Sequence, residues 1–262
     1  MGYQVAIPSY KRPNGVATAT LALLAKYGVN PTLVTVFVAN EAEYDWYKRF
    51  VPEDVKIVIA EVGKVNAQQF YHNYYPAGTR LVNLDDDIKD LTEKDGDKVV
   101  PYSGSFDDMV ARGFDLCEKY GSGMWGINPT GNGFYMSDKA IVGLRYIPGG
   151  LYGNYAGDPT ITDSNRPKVS SGDDYETTLR SFLIYGSVVR MDWLSFKTKF
   201  FSLGGIDAEV KDKGIPNRMT EHRAELEAIC ARYPDLASMY WKAGEVPNIR
   251  LKAKTYAREP RI

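Results

Sequence analysis

The sequence predicts an α/β protein whose mainly parallel sheet is flanked by helices. Three observations support this class. In the N-terminal third, short apolar runs alternate with longer amphipathic runs, and glycine or proline follows the amphipathic runs. The 262 residues are ample for a full hydrophobic core. No internal repeat or low-complexity linker interrupts the pattern, so we expect one domain with a C-terminal extension.

The N-terminal elements follow in a βαβαβαβ order. QVAIP, TLVTVFVAN, VKIVIAEV and TRLVNLDDD are typical of buried strands, and GVATATLALLAKYG, EAEYDWYKRF and VNAQQFYHNYY are typical of the helices between them. Pro8, Asn40, Gly63 and the acids Asp85 to Asp87 therefore fall at the carboxyl ends of strands. Ligands of parallel sheets bind beyond those ends.

Beyond the acids the rhythm changes. A hairpin turn is predicted at Asp95-Gly96. A helix is predicted over SFDDMVARGFDLCEKYG, and a glycine-rich loop and strand over GINPTGNGFYMSD. We expect 149–172 to be a long irregular loop, DDYETTLRSFLIYG a helix, and SVVRMDWLSFKTKFF a strand or a pair of strands. Accordingly, 1–206 is predicted to form the core, and 207–262 a C-terminal extension with one helix and a basic tail.

Charge and cysteine content exclude several classes. The formal net charge of −1 provides no global reason to expect nucleic acid or a membrane as partner, so only the local basic tail favours phosphate contacts. Cys117 and Cys230 are far apart and lack CxxC spacing, which predicts buried thiols rather than a disulfide framework or zinc site. With no apolar run long enough for a bilayer, we expect a cytoplasmic protein without a membrane or an obligate protein partner.

LVNLDDDI places three successive carboxylates after a buried strand, although like charges side by side disfavour ionisation. An EF-hand would need glycine where Asp90 stands, and a phosphatase of the D-x-D-x-T type would need threonine where Lys89 stands. A third reading is a divalent cation that bridges the two phosphates of a nucleotide-sugar. A solvated acidic turn is the alternative. On an extended chain, Asp85 and Asp87 would point to the same side.

Five stretches together carry a resemblance to a known family. IPSYKRP, VFVANEAE, GKVNAQQF, LVNLDDDI and GDDYETTLRSFLIYG resemble the GT-A glycosyltransferases, in the order that this superfamily uses, across Tyr3 to Ile206. IPSYKRP, VFVAN, YYPAG and LDDDI look most like the phage-encoded TET-associated glycosyltransferases, which are implicated in adding sugar to hydroxymethylated pyrimidines of phage DNA. That likeness implies the Rossmann-like GT-A fold and a place in the host cytoplasm.

The resemblance also implies roles for the acids. Asp174, the second of an acidic pair that opens a helix, would be the general base, and Glu176 would position a sugar or acceptor hydroxyl. Asp87 would ligate Mn²⁺ or Mg²⁺, with His222 as a further metal ligand, while Asp85 reaches the ribose or a metal-bound water. The alternatives are an N-terminal helix charge for Asp174, and solvated surface for Glu176 and His222.

A further group would hold the nucleotide. By the same resemblance, backbone groups near Pro8 pair the base, the Tyr10 ring stacks on it, and Arg12 approaches the diphosphate. The complete set predicted to bind the UDP-sugar is Pro8, Ser9, Tyr10, Arg12, Asn40, Gln68, Asp85 and Asp86. The alternative is that these residues form only a solvent-facing turn between strand and helix, and that Asn40 only stabilises a turn.

These features predict a metal-dependent, inverting glycosyltransferase that moves sugar from a UDP-sugar to a hydroxyl of a 5-hydroxymethyl pyrimidine in DNA. A second hypothesis keeps the fold and donor but takes a carbohydrate or protein as acceptor, which suits the near-neutral charge. A third is a catalytically silent module that binds metal or nucleotide-sugar.

Overall fold

A computed structural model of the protein describes residues 2–169, 171–198, 218–242 and 246–261. The strands in this part of the chain are β1 Gln4–Pro8, β2 Val34–Val38, β3 Lys56–Ile59, β4 Arg80–Leu84, β5 Ile88–Asp95, β6 Lys98–Pro101, β7 Trp125–Asn128, β8 Lys139–Leu144, β9 Leu151–Tyr155, β10 Val188–Thr198, β11 Ala237–Lys242, β12 Val246–Leu251 and β13 Lys254–Pro260. The helices are α1 Pro13–Val16, α2 Ala22–Lys26, α3 Glu41–Tyr47, α4 Lys64–Tyr74, α5 Phe106–Tyr120, α6 Pro159–Thr162, α7 Asp173–Tyr185 and α8 Arg218–Arg232. A π-helical turn joins α1 to α2.

One large sheet organises the described residues, with the strand order β13-β8-β10-β7-β9-β4-β1-β2-β3. In its N-terminal half, β1 pairs in parallel with β2 and β4, and β2 with β3. In the other half, β9 is antiparallel to β4 and β7, whereas β10 is parallel to β7 and antiparallel to β8. Helices α4, α5 and α7 pack against these strands. The predicted α/β class is confirmed, with antiparallel strands interleaved in the C-terminal half.

The core lies between the sheet and its helices. Every residue of β2 is buried, as expected for a parallel strand covered on both faces. On the other half of the sheet the fully buried ring of Trp125 fills the space against α5. Gly153 on β9 leaves the room for that ring, because a Cβ at this position would lie 2.1 Å from the indole Nε1.

The prediction of an irregular loop over 149–172 is wrong in its first half. Residues Leu151–Tyr155 form β9, which is hydrogen-bonded to strands on both sides, and Pro159–Thr162 form α6. The sequence pattern LYGNY does not alternate because the strand is buried on both faces and needs glycine beside Trp125. The hairpin turn predicted at Asp95-Gly96 does join β5 to β6.

The C-terminal part is more than a helix with a basic tail. After α8 the chain forms the hairpin β11–β12, and β13 then joins the edge of the large sheet beside β8. The sequence analysis predicted the helix of this segment but not its three strands, because the pairing of β13 with β8 depends on a partner distant in sequence. The proposed boundary between 206 and 207 lies outside the described residues. Among the described helices, none combines the length and apolarity needed to cross a bilayer.

Candidate active site

Neighbouring parallel strands end side by side at one edge of the sheet. Between β1, β2 and β4 lies a cavity of ≈ 120 Å³. One part of its wall is apolar and aromatic: Pro8, Tyr10, Phe37, Val38, Ala39 and Ala67. The rest is polar or charged: Ser9, Arg12, Glu61, Gly63, Lys64, Asp85, Asp86 and Asp87. The structure thus brings most of the predicted donor-binding residues together, as the strand-end rule implies.

The acid triplet is a turn rather than an extended run. β4 ends at Leu84, so the prediction that Asp85 and Asp87 share one side of a strand is wrong. Each carboxylate instead has its own partners. Asp85 lies 3.6 Å from Lys64 Nζ, and Asp87 accepts a 2.6 Å hydrogen bond from Thr198 Oγ1. The turn thereby places each carboxylate beside at least one donor, which offsets their mutual repulsion.

Asp86 anchors the first loop to the triplet. Its carboxylate accepts a 2.5 Å hydrogen bond from Ser9 Oγ and a 3.2 Å contact from Arg12 Nη1, and that guanidinium also lies 3.5 Å from Asp87. Burial raises the pKa of Asp86, while Ser9 and Arg12 lower it in part. Asp86 is only 6% exposed, so its contacts hold the loop more than they face the cavity.

Lys64 is a site residue that the sequence analysis missed. It opens α4 directly after Gly63, and its Nζ lies 3.4 Å from Asp173 as well as 3.6 Å from Asp85. Burial alone would lower the pKa of Lys64, but the carboxylates of Asp173 and Asp85 outweigh it and hold this pKa above its usual value. The ammonium is therefore charged. Its position after a strand end was the available signal.

Burial has the opposite effect on Asp85. It raises the pKa of this carboxyl to about 7, with the negative charges of Asp87 and Asp86 adding to the rise and Lys64 opposing it. A carboxyl with this pKa is protonated in a substantial fraction of molecules near neutrality. A cation in the cavity would favour its charged form.

The acidic pair at the start of α7 approaches the cavity from the other side. Gly172, at φ +89°, precedes the helix without a side-chain cap, so neither aspartate acts as N-cap. Asp174 Oδ1 accepts a 2.9 Å hydrogen bond from the Tyr175 backbone N–H, and the Tyr146 hydroxyl donates to Oδ2. Burial, and then Asp173, raise the pKa of Asp174. Sequence analysis missed Tyr146, because its segment carries no motif.

Asp174 and Lys64 face a common backbone segment. A Cβ added to Gly149 would lie 3.3 Å from Lys64 Nζ and 3.4 Å from Asp174 Cβ. Lys64 itself lines the cavity. The carboxylate predicted to be the base is therefore separated from the cavity by about the width of one residue.

Glu176 lies away from the cavity and tethers two helices. It is fully buried, with Oε2 2.8 Å from Arg232 Nη2 and Oε1 accepting a 2.6 Å hydrogen bond from the Tyr233 hydroxyl. Both carboxylate oxygens are thus engaged by α8 and the residue after it. His222, the predicted metal ligand, is half-buried in the first turns of α8 and does not line the cavity.

Two further predicted residues have structural partners. Asn40 caps α3, where its side-chain oxygen accepts a 3.0 Å hydrogen bond from the Glu43 backbone N–H. Gln68 is buried behind the cavity, with Nε2 3.4 Å from Asp173 and Oε1 accepting a 3.0 Å hydrogen bond from Arg166. In these positions neither side chain reaches the cavity, although neighbours of each line it.

The residues present suit a divalent cation that is bound together with a phosphate ligand. In the described ranges no group of three or more His, Cys, Asp and Glu side chains is arranged to hold a metal by itself. The cavity nevertheless presents adjacent carboxylates, and Mg²⁺ or Mn²⁺ in nucleotide sites often takes one or two carboxylates plus phosphate oxygens and water. The side chains of Asp85 and Asp87, 37% and 23% exposed, are the carboxylates of the triplet that remain accessible for this.

No protein-family model matches the sequence, and no curated protein matches it. Among solved structures, a mycobacterial protein aligns with a TM-score of 0.52 at 11% identity, over 99% of this chain and 86% of its own. S. aureus TarS 1-349 aligns with a TM-score of 0.49 at 13% identity, over 75% of this chain. The present chain spans 59% of that TarS structure.

A third solved structure is glucosyl-3-phosphoglycerate synthase from Mycobacterium tuberculosis, in complex with Mn²⁺, uridine diphosphate and phosphoglyceric acid. It aligns with a TM-score of 0.47 at 10% identity, over 99% of this chain and 89% of its own. What the chain shares with the mycobacterial protein is the fold, a central mixed sheet flanked by helices.

Proposed function

We propose that the protein is a metal-dependent, inverting glycosyltransferase of the GT-A type that uses a UDP-sugar. One observation carries this proposal: a single cavity at the strand ends joins an aromatic wall to three successive carboxylates and two cationic side chains. A planar base suits the wall formed by Tyr10 and Phe37, and a diphosphate suits the charged part. The motif resemblance supports uridine as the base.

The charged part of the cavity is suited to stabilise the diphosphate leaving group. Negative charge grows on the diphosphate as the bond to the sugar breaks, so cationic groups must lie beside it. Lys64 and Arg12 are held there by the acids around them. A bound Mn²⁺ or Mg²⁺, held by Asp87, would add Lewis-acid stabilisation of that charge. His222 remains a candidate for a second ligand.

Asp174 would act on the acceptor. In a single displacement its carboxylate takes the proton of the acceptor hydroxyl as that oxygen forms a bond to the anomeric carbon. The bond from the anomeric carbon to the diphosphate oxygen breaks, and UDP leaves with the electron pair. Attack from the face opposite the diphosphate inverts the anomeric centre. Each oxygen of Asp174 accepts one hydrogen bond in the structure, so lone pairs remain for the acceptor.

We propose a 5-hydroxymethyl pyrimidine of DNA as the acceptor, and the motif resemblance to the phage family supports it. Basic residues near the C-terminus, such as Arg258, are exposed and suit phosphate contacts. A carbohydrate or protein acceptor is the second candidate. One ion pair favours it, because Arg261 contacts Glu93 outside the tail, which compensates one of the positive charges of the tail.

The experiment that tests donor and acceptor together is label transfer from a panel of UDP-sugars. Each sugar is offered with Mn²⁺ to duplex DNA containing 5-hydroxymethylcytosine, to unmodified duplex, and to water alone. We expect label on the hydroxymethylated duplex and loss of transfer in EDTA. Metal-dependent UDP release without labelled DNA would keep the donor site and move the acceptor to the second class.

Two variants separate the proposed roles. Asp174→Asn should retain UDP-sugar binding and lose transfer by a factor of about 10² to 10⁴, the usual contribution of a general base. Asp87→Asn should lose metal-dependent transfer, whereas the exposed Asp115→Asn on α5 serves as control and should match the wild type. Full metal-dependent transfer by Asp87→Asn would refute the proposal.

A further inference from the structure

Asp174 is held by an aromatic pair that belongs to no sequence motif. Tyr146 follows β8, and its hydroxyl donates to Asp174 Oδ2. Its ring stacks on that of Tyr175, with centroids 4.3 Å apart and planes 26° apart. The Tyr175 hydroxyl in turn donates a 2.7 Å hydrogen bond to Asn248 Oδ1 on β12. A chain of contacts therefore runs from the C-terminal hairpin to the proposed base.

The backbone around Tyr146 is also fixed. Its carbonyl oxygen accepts a 3.2 Å hydrogen bond from Arg190 Nη1, and the next backbone N–H, that of Ile147, donates to Thr178 Oγ1 at 3.2 Å. Both partners lie on regular elements, β10 and α7. A tyrosine held at its backbone and at its ring face has little freedom, so its hydroxyl is directed at one point.

We propose that Tyr146 is a positioning residue for the base, and that Tyr175 and Asn248 hold its ring in place. This inference rests on the proposed function, since it assigns Tyr146 a role through Asp174. A carboxylate that accepts from a fixed phenol and from a backbone N–H cannot rotate freely about its Cβ–Cγ bond. The lone pairs left over then point consistently toward an acceptor hydroxyl.

The hydrogen bond also tunes the charge of Asp174. Burial raises the pKa of this carboxyl, the neighbouring Asp173 raises it further, and the Tyr146 hydroxyl lowers it by stabilising the anion. Lys64 of α4 lowers it as well. Burial raises the pKa of Tyr146 well above its usual value, so the phenol keeps its proton and remains the donor.

Tyr146→Phe is the direct test, because it removes one oxygen and keeps the ring stacked on Tyr175. We expect the pKa of Asp174 to rise by about one pH unit, as for loss of a hydrogen bond to a charged group. The acid limb of the kcat/KM profile should shift upward by the same amount. Below that limb the rate should fall about tenfold, and at high pH most of it should return. A merely structural lesion would lower the rate at every pH.

A second readout does not depend on turnover. The carboxyl carbon of Asp174, labelled with ¹³C and assigned by its absence in Asp174→Asn, can be titrated by NMR without metal or donor. The midpoint should rise in Tyr146→Phe. Tyr233→Phe is the matched control, because it removes a phenol that donates to Glu176 on the same helix, and it should leave the Asp174 midpoint unchanged.

Tyr175→Leu provides an independent variant if Tyr146→Phe fails to fold. It keeps the backbone N–H that donates to Asp174 but removes the ring that holds Tyr146, so a smaller rise in the midpoint is expected. An unchanged midpoint in both folded variants would overturn the inference. Failure of the proposed function would look different, because the wild type would turn over no UDP-sugar whatever the titrations show.

Discussion

The role of Glu176 leads to the sharpest prediction about stability. This side chain is fully buried on α7, and its carboxylate joins Arg232 and Tyr233 to that helix. We expect Glu176→Gln to lower the stability of the protein without removing a catalytic group. The sequence resemblance predicts instead that Glu176 contacts sugar or acceptor, so the same variant decides between the two roles.

The size of this loss of stability depends on how deeply each partner of the ion pair between Glu176 and Arg232 is buried. Removing one partner of a buried ion pair costs about 3 to 5 kcal/mol, because the other charge stays uncompensated. Arg232 is 34% exposed and can regain water, which places the expected loss near the lower end, about 3 kcal/mol. For a chain of this length that corresponds to a fall in Tm of about 6 to 12 °C.

Urea unfolding and thermal melts measure this loss directly. Glu227→Gln is the matched control: it makes the same change on α8 in an exposed pair with Arg223, where about 0.3 to 0.5 kcal/mol is expected. The double variant Glu176→Gln with Arg232→Met should recover part of the loss. Unchanged stability together with abolished transfer would refute this reasoning and support a catalytic Glu176.

Three further predictions concern pH, backbone geometry and the donor site. Burial, and to a smaller extent the positive charge of Arg166, lowers the pKa of His72 from 6.5 to about 3. Between pH 6.5 and pH 3, His72 is therefore protonated in the unfolded chain but neutral in the folded protein. His72 should therefore contribute a loss of about 2.5 kcal/mol in stability from pH 7 to 4.5, whereas Asp85, whose pKa is raised to about 7, acts in the opposite direction over this range. The difference between the wild type and His72→Gln in urea melts at the two pH values measures the share of His72. Gly172→Ala should lower the free energy of unfolding by about 1 to 3 kcal/mol, because φ is +89° and the new Cβ would lie 2.9 Å from Leu226 Cδ2. Gly28→Ala is the control: its φ is +68° and the space around it is open, so its loss of stability measures the backbone strain alone. Lys64→Met should raise the KM for UDP-sugar about tenfold or more. Lys26→Met, which breaks an exposed ion pair with Asp90, should leave the KM unchanged. An unchanged KM in Lys64→Met would contradict the proposal that the diphosphate binds beside Lys64.

Local patterns predicted the N-terminal half of the fold well, and for a physical reason. Its strands and helices alternate, β2 pairs with the strands before and after it in the chain, and the burial of β1 and β2 makes these two strands mostly apolar. The same rule placed Pro8, Asp85 and Asp87 at one edge. β13 escaped prediction because its partner β8 lies more than a hundred residues earlier, and pairing over that distance leaves no local signature.

The sequence by itself determined the class of the fold, the edge of the sheet where the cavity forms, and the acids that line it. Only the tertiary structure decided what each acid does. Asp174 and Glu176 are two residues apart on α7, about half a helical turn, so the sequence already places them on different faces. Only the tertiary structure shows that one face meets Tyr146 near the cavity and the other meets Arg232. Burial and charge neighbours come from distant elements, and these, rather than residue type, set the protonation and orientation of a carboxyl group.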